Sequence, residues 1–325
     1  MSITAYTRCG AYAAPLMAIV ATGAIAQTYP TRPIRVVVPF AAGGATDVIA
    51  RVLGQRIADS VGQPVIIDNK PGGSAMIGTD IVAKATPDGH TIVMTANPHT
   101  VNPALYPKMP FDPVKDFAPI TLAGLQPLIV AVHTSLPARN VKEFIAVLKA
   151  NPGKYSYGTS GTAGPQHLAG EMFKVMTGTD ITHVPYKGAA PATADLIGGQ
   201  VQIAFGGTTN VLPHVKAGRL RALATATLKR TPFAPDLPTL DESGLTGFES
   251  TAWLGLLAPA ATPRDVVARI NAEAVKAIRQ PETQEKLFAQ GIEGVGNTPV
   301  EFAGFIRDEI AKWGKVVKAA GIRAE

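Results

Sequence analysis

The stretch VVVPFAAGGATD, residues 36–47, decides the fold. Three β-branched residues read as a buried strand, Pro39 stops it, and Gly43-Gly44 permit a tight turn. Apolar residues then recur at Val48, Ile49, Val52, Leu53, Ile57 and Val61, which is helical spacing. A strand, a glycine loop and a helix start in succession leave backbone N–H groups unpaired at the helix N-terminus. Those donors and the helix dipole favour an anion there. The expectation is that this loop holds a carboxylate and that a second loop of the same kind faces it.

Outward from that stretch the pattern repeats. Val65 to Asp68 reads as a strand, and NKPGGSAMIG (69–78) opens a helix running to about Ala85. Thr91 to Thr95 reads as the next strand. The order β-α-β-α-β predicts a parallel, doubly wound sheet, whose ligands sit beyond the strand carboxyl ends. The loops at 40–47, 69–78 and 95–100 should therefore converge. Asn102 to Pro119, rich in proline, reads as a surface connection without its own core. Leu128 to Val132 reads as a strand crossing between lobes.

Further on, Asn140 and Glu143 form a capping-box pattern, and Asn151-Pro152-Gly153 ends that helix. Tyr155 to Tyr157 is a short strand, followed by GTSGTAGP (158–165) and a helix through Met176. Thr182 to Tyr186, a helix from Pro191 to Ile197, and Val201 to Phe205 continue the alternation. Two similar halves, each presenting a glycine loop at a helix start, predict two facing jaws. Trp253 to Ala258 then carries the chain back. Helices are expected to start at Thr262-Pro263-Arg264-Asp265 and at Thr298-Pro299-Val300-Glu301, each with a cap, a proline at the first position and an acid at the third. In the last helix Phe302, Phe305, Ile306, Ile310, Trp313 and Val317 mark a packed face.

Composition limits the function. The chain has 325 residues, 46% hydrophobic and 17% charged, enough for a sizeable core in two lobes. Residues 1–26 read as a secretory signal: Arg8 is positive, Ala11 to Ile25 carries no charge, and Ala24-Ile25-Ala26 fits a cleavage site, with cleavage after Ala26. The run falls short of the ~20 apolar residues of a membrane span. Cys9 is the only cysteine and lies in that signal, so the mature chain has no disulfide, thiolate nucleophile or cysteine metal site. Removing residues 1–26 takes away Arg8 and no acid, so the net charge goes from +6 to +5. Lysine and arginine are scattered without interleaved aromatics, which argues against nucleic-acid binding.

Enzyme signatures are poor. Gly158-Thr159-Ser160-Gly161-Thr162 misses the nucleophile elbow because Thr162 stands where the last glycine belongs. The histidines at 90, 99, 133, 167, 183 and 214 form no metal-binding pair. His167 sits in the first turn of its helix beside the expected pocket, and a hydrolase would have to use it with Ser160. Asp47 either reaches a ligand or caps its own helix. No glycine loop matches a dinucleotide or Walker pattern, and no cofactor is expected.

These residues closely resemble the tripartite tricarboxylate transporter receptor family, the Bug proteins. The matching text is YPTRPIRVVVPFAAGGATD (29–47), the NKPGGSAMIG loop, YGTSGTAGPQHLAGEMF (157–173), HVPYKGAAPATADLIGGQV (183–201) and KAGRLRALA (216–224). PDLPTLDESG (235–244), WLGLLAPAATP (253–263) and the last helix match too. The resemblance implies a two-lobed periplasmic-binding fold of type II, a Venus flytrap with two crossing strands and C-terminal helices returning to the first lobe. By that division residues 27–127 and 254–325 form lobe 1, and 128–253 lobe 2. It also implies a periplasmic solute-binding monomer that captures a di- or tricarboxylate or an aromatic acid for membrane permease subunits; a sensor docking on a membrane receptor is the alternative. Carried over by position, the lobe 1 pocket falls at Phe40, Gly43, Gly44 and Asp47 with Ser74 and Ala75. The lobe 2 pocket falls at Thr159, Ser160, Gly161 and Thr162, with Thr95 and Tyr186 as further candidates. One departure stands out: family members often carry an acid just after the strand ending at Phe205, where this chain has Gly206-Gly207-Thr208. That argues against amino-acid ligands.

Overall fold

The computed structural model describes residues 1–2 and 29–323. The expected signal and its cleavage after Ala26 lie outside the described residues. In chain order the first elements are β1 (Ile34–Val38), α1 (Ala45–Val61), β2 (Val65–Asn69), α2 (Met76–Ala83), β3 (Thr91–Ala96), α3 (Pro98–Leu105) and β4 (Phe117–His133). There follow α4 (Val141–Ala150), β5 (Ser156–Thr159), α5 (Pro165–Thr177), β6 (Thr182–Pro185), α6 (Ala189–Ile197), β7 (Ile203–Gly207), α7 (Thr208–Lys216) and β8 (Leu220–Thr225). The chain ends with β9 (Thr251–Pro259), α8 (Arg264–Ile278), α9 (Pro281–Ala289), β10 (Glu293–Gly294) and α10 (Pro299–Ala320).

After Arg35, which pairs with Asp68, β1 is apolar without alternation because both of its faces are covered. Val36 and Val38 pack with Leu53 and Ile57 of α1 on one face. Val37 packs with Val82 and Val93 on the other. β1 pairs in parallel with β2 and β3. β9 then lies antiparallel to both β3 and β4, completing a first sheet.

The strand β4 joins the halves. Phe117 to Pro127 pairs with β9 in the first sheet, and Leu128 to His133 pairs with β7 and β8 in the second. β9 pairs within the first sheet alone. The directions of these pairings fix which ends meet. β3 and β4 both run against β9, so the carboxyl ends of β1, β2 and β3 point along β4 toward the second sheet. β7 runs against β4, and β5 runs with β7. Their carboxyl ends therefore point back toward the first sheet. β3 ends beside Leu254, which is opposite Gly124, and β7 ends opposite Leu128. At ~3.3 Å per residue, about 13 Å of strand separates the two sets of loops.

Three readings change. β4 is far longer than the expected Leu128–Val132, because Pro119 and Pro127 interrupt the sequence signal. Pro119 sits at a register shift, where a missing N–H costs no ladder bond. The Asn102–Pro119 connection does have a core: Phe111 and Phe117 are buried edge to face at 5.5 Å, with His99 against both rings. At Thr262 the expected cap fails. Pro263 takes the cap position, Asp265 falls one place earlier than expected, and the buried Thr262 hydroxyl has no partner. Thr298, by contrast, forms the full reciprocal capping box with Glu301.

The last helix spans the whole fold. Near its start Phe302 and Ile306 pack with Trp253 in the first lobe's core. Toward its end Trp313, Val316 and Val317 pack with Phe144 and Phe173 in the second.

Candidate functional site

In the first lobe α1 starts at Ala45, three residues earlier than the apolar spacing indicated, and Gly44 is its cap. Gly43 holds φ +86°, a left-handed conformation that favours glycine. The Asp47 carboxylate accepts from Gly43 N–H at 2.9 Å, from Arg51 Nε at 2.9 Å and from Asn69 Nδ2 at 3.0 Å. Asn69 Nδ2 also donates to the Phe40 carbonyl at 3.1 Å. Asp47 is buried, and its acceptors are spent on holding the loop in shape. The helix cap is Gly44 and no side chain bonds it, so Asp47 does not cap its helix; it braces the loop ahead of it through Gly43 N–H. Val48 N–H is the first donor to bond within the helix, to Gly44 O; ahead of it residues 41–44 are exposed, Ala45 is half-buried and Thr46 is buried.

Burial alone would raise the Asp47 pKa, but the hydrogen bonds from Arg51, Gly43 and Asn69, with the Arg51 charge, hold it below the ordinary value. A depressed pKa contributes stability above the unfolded value and loses it as pH falls through the folded one. The stability difference between wild type and Asp47→Asn should thus be constant near neutrality and shrink below about pH 4. Urea denaturation of both proteins across that range checks it; a difference independent of pH would assign the loop's stability elsewhere.

The second loop carries strain. Ser74 and Ala75 hold φ of +52° and +69°, both left-handed and neither glycine. Asn102 of α3 clamps the turn through Ser74 O at 2.8 Å and Ser74 Oγ at 3.1 Å. Ser74 is exposed and Ala75 buried. Thr95 is fully buried in β3 on the face of Val93, and its hydroxyl has no partner. It lies beneath the loops rather than in them.

In the second lobe the turn from Gly158 to Gly164 is fixed by side chains around it. Ser160 N–H donates to Gln166 Oε1 at 2.8 Å, and Ala163 N–H to His167 Nδ1 at 2.9 Å. Thr159 Oγ1 donates to Gly161 O at 2.9 Å and lies 2.7 Å from His183 Nε2. The rings of His167 and His183 stack at 3.9 Å. Both histidines, then, support the turn. Ser160 is exposed, while Gly161 and Thr162 are half-buried. Tyr186 N–H donates to Thr159 O, but its hydroxyl donates to Asp195 at 2.7 Å. Burial and that carboxylate push the phenol up to about 12.

Beside this turn lies a concavity that the sequence reading missed. It is lined by Gly158, Gln166, Ala189, Thr193, Gly206 and Asn210, among others. Three helices begin there behind glycine caps, α5 at Gly164, α6 at Gly188 and α7 at Gly207. Gly206-Gly207 running straight into a helix is a strand–glycine–helix unit like the first one, and was the available signal for α7.

A sequence profile described as the tripartite tricarboxylate transporter family receptor matches residues 49–322. The chain belongs to that family. BugT of Bordetella pertussis is 37% identical over 300 residues, covering 92% of each chain. Among solved structures, Rpa4515 of R. palustris with adipate is 37% identical, with a TM-score of 0.77 over 91% of this receptor and 99% of that chain. MatC of Rhodopseudomonas palustris, with bound malate, is 33% identical, with a TM-score of 0.74 over 89% of this receptor and 100% of that chain. The two-lobed periplasmic-binding fold expected from the sequence is thereby established for this receptor. Among its described residues no helix is long and apolar enough to cross a membrane.

Proposed function

We propose that this receptor captures a small di- or tricarboxylate, or an aromatic acid, in the periplasm and hands it unaltered to permease subunits of a tripartite transporter. The observation that carries this reading is the arrangement of strand ends. Amide-rich loops from both lobes flank the same short stretch of β4, Gly124 to Leu128. Helix N-termini on both sides offer N–H donors to an anion. The relatives holding adipate and malate have the same fold.

In this reading lobe 1 comprises 27–127 and 254–325, and lobe 2 comprises 128–253, with Thr251 to Trp253 at the boundary already paired with β4 in the first sheet. The carboxylate meets the turn at Phe40, Gly43 and Gly44 together with Ser74. Lobe 2 then swings in with Thr159 to Thr162, and closure selects the ligand because only the closed form makes both sets of contacts. Asp47, Ala75 and Tyr186 act through the shape of the loops, and Thr95 acts from below. The protein works as a monomer after cleavage behind Ala26, with no catalytic step. His167 Nδ1 already accepts from Ala163 N–H, so it is poorly placed to serve Ser160 as a base.

A thermal-shift screen of the mature protein against dicarboxylates, tricarboxylates, aromatic acids and amino acids tests the proposal. A ligand at a hundred times its Kd should add about 2.7 kcal/mol of stability. Mass spectrometry of the released ligand should return it unchanged. No shift with any carboxylate, or a chemically altered product, would overturn the proposal.

A further inference from the structure

Gln166, in the first turn of α5, has its amide orientation dictated by a neighbour. Ser160 N–H can only donate, so the Gln166 atom 2.8 Å away must be the carbonyl Oε1. The Nε2 group is left with two donors, and it has no partner among the described residues. Gln166 lines the lobe 2 concavity, whose other polar side chains are Thr193 and Asn210; no aspartate, glutamate, lysine or arginine lines it. Most of the remaining wall is glycine and alanine: Gly158, Ala189, Ala192, Ala204 and Gly206.

From this geometry we infer that Gln166 determines specificity at the far end of the ligand, by presenting fixed N–H donors to a second oxygen acceptor. The ligand class is then an acid carrying a second carboxylate, and an ammonium at that end is rejected. The inference rests on the proposed carboxylate site and deepens it. The amide is held before the ligand arrives, so its donors are already oriented for an anion. An ammonium would meet donors against donors in a wall with no negative charge to replace its water.

The test uses matched probes that differ at one end only: adipate, caproate and ε-aminocaproate, with succinate, butyrate and γ-aminobutyrate as the shorter set. Wild type should bind one of the dicarboxylates at least roughly tenfold more tightly than its matched monocarboxylate and its amino acid, the effect of a hydrogen bond to a charged group. Gln166→Glu keeps the shape and the acceptor for Ser160 N–H but turns a carboxylate oxygen toward the ligand. It should lose dicarboxylate affinity by on the order of a hundredfold, keep the monocarboxylate within a few-fold, and gain the amino acid. Gln166→Met should erase the preference without reversing it. Melting of the ligand-free variants establishes that they fold, and the wild-type ranking tests the inference if they do not. Wild type preferring the monocarboxylates, or Gln166→Glu weakening all three probes equally, would overturn the role of Gln166 while leaving the carboxylate site intact. Wild type ignoring every acid would overturn both.

Discussion

Changing Gly44→Val should abolish stabilisation by a carboxylate ligand while leaving the receptor folded. Gly44 holds φ −77° and ψ 167°, an extended conformation that a β-branched residue adopts readily. A Cβ placed there meets nothing closer than the Ala41 carbonyl at 3.7 Å. The cost to the fold is therefore about 1 kcal/mol, that of a poorer helix cap. The isopropyl group, however, would cover the amides that open α1. Losing one or two hydrogen bonds to a charged acceptor lowers affinity by on the order of a hundredfold. Gly43 would make a poorer test, since its left-handed φ means that any side chain also strains the turn. Calorimetric titration and ligand-free melting, run together, separate the two effects. Undiminished affinity would remove the first loop from the site.

The second large effect concerns the helix that spans both lobes. Trp313→Ala should destabilise the ligand-free protein by about 3–5 kcal/mol, the range for deleting a buried aromatic side chain. Trp313 is fully buried, and its indole N–H donates to Glu309 Oε2 at 2.7 Å. Glu309 is itself buried and also pairs with Lys312. The truncation would thus open a cavity in the second lobe's core and remove a hydrogen bond from a buried carboxylate. Chemical denaturation measures the loss. A change below about 1 kcal/mol would mean that the far end of α10 contributes little to holding the lobes together.

How much of this was legible follows from what each signal depends on. The βαβ repeat and both glycine turns were readable because β-branched runs, glycine pairs and apolar helical spacing are local. The caps at Asn140 and Thr298 were local too: Thr298 forms the full box, while at Asn140 the side chain caps Glu143 N–H and the Glu143 carboxylate returns to Arg139 N–H instead. What failed to show was set by contacts distant in sequence. β4 keeps its ladder through Pro119 only because β9 tolerates a bulge there. The buried cluster of His99, Phe111 and Phe117 needs the fold to bring α3 and β4 together. In the site, Asp47 carried two possible roles in the sequence, and Asn69 and Arg51 settle its bonding by where they stand in space. Gln166 gave no signal at all. Its meaning comes from one backbone N–H six residues away, which fixes which end of its amide is free.

The central claim is that one anion is gripped from both lobes at once, and amide hydrogen exchange tests it most directly. On adding a saturating dicarboxylate to the mature protein, the account predicts slower exchange at Gly43 to Thr46 and, together with it, at Ser160 to Gln166. Protection confined to one of these segments, or to neither while the ligand is demonstrably bound, would contradict it.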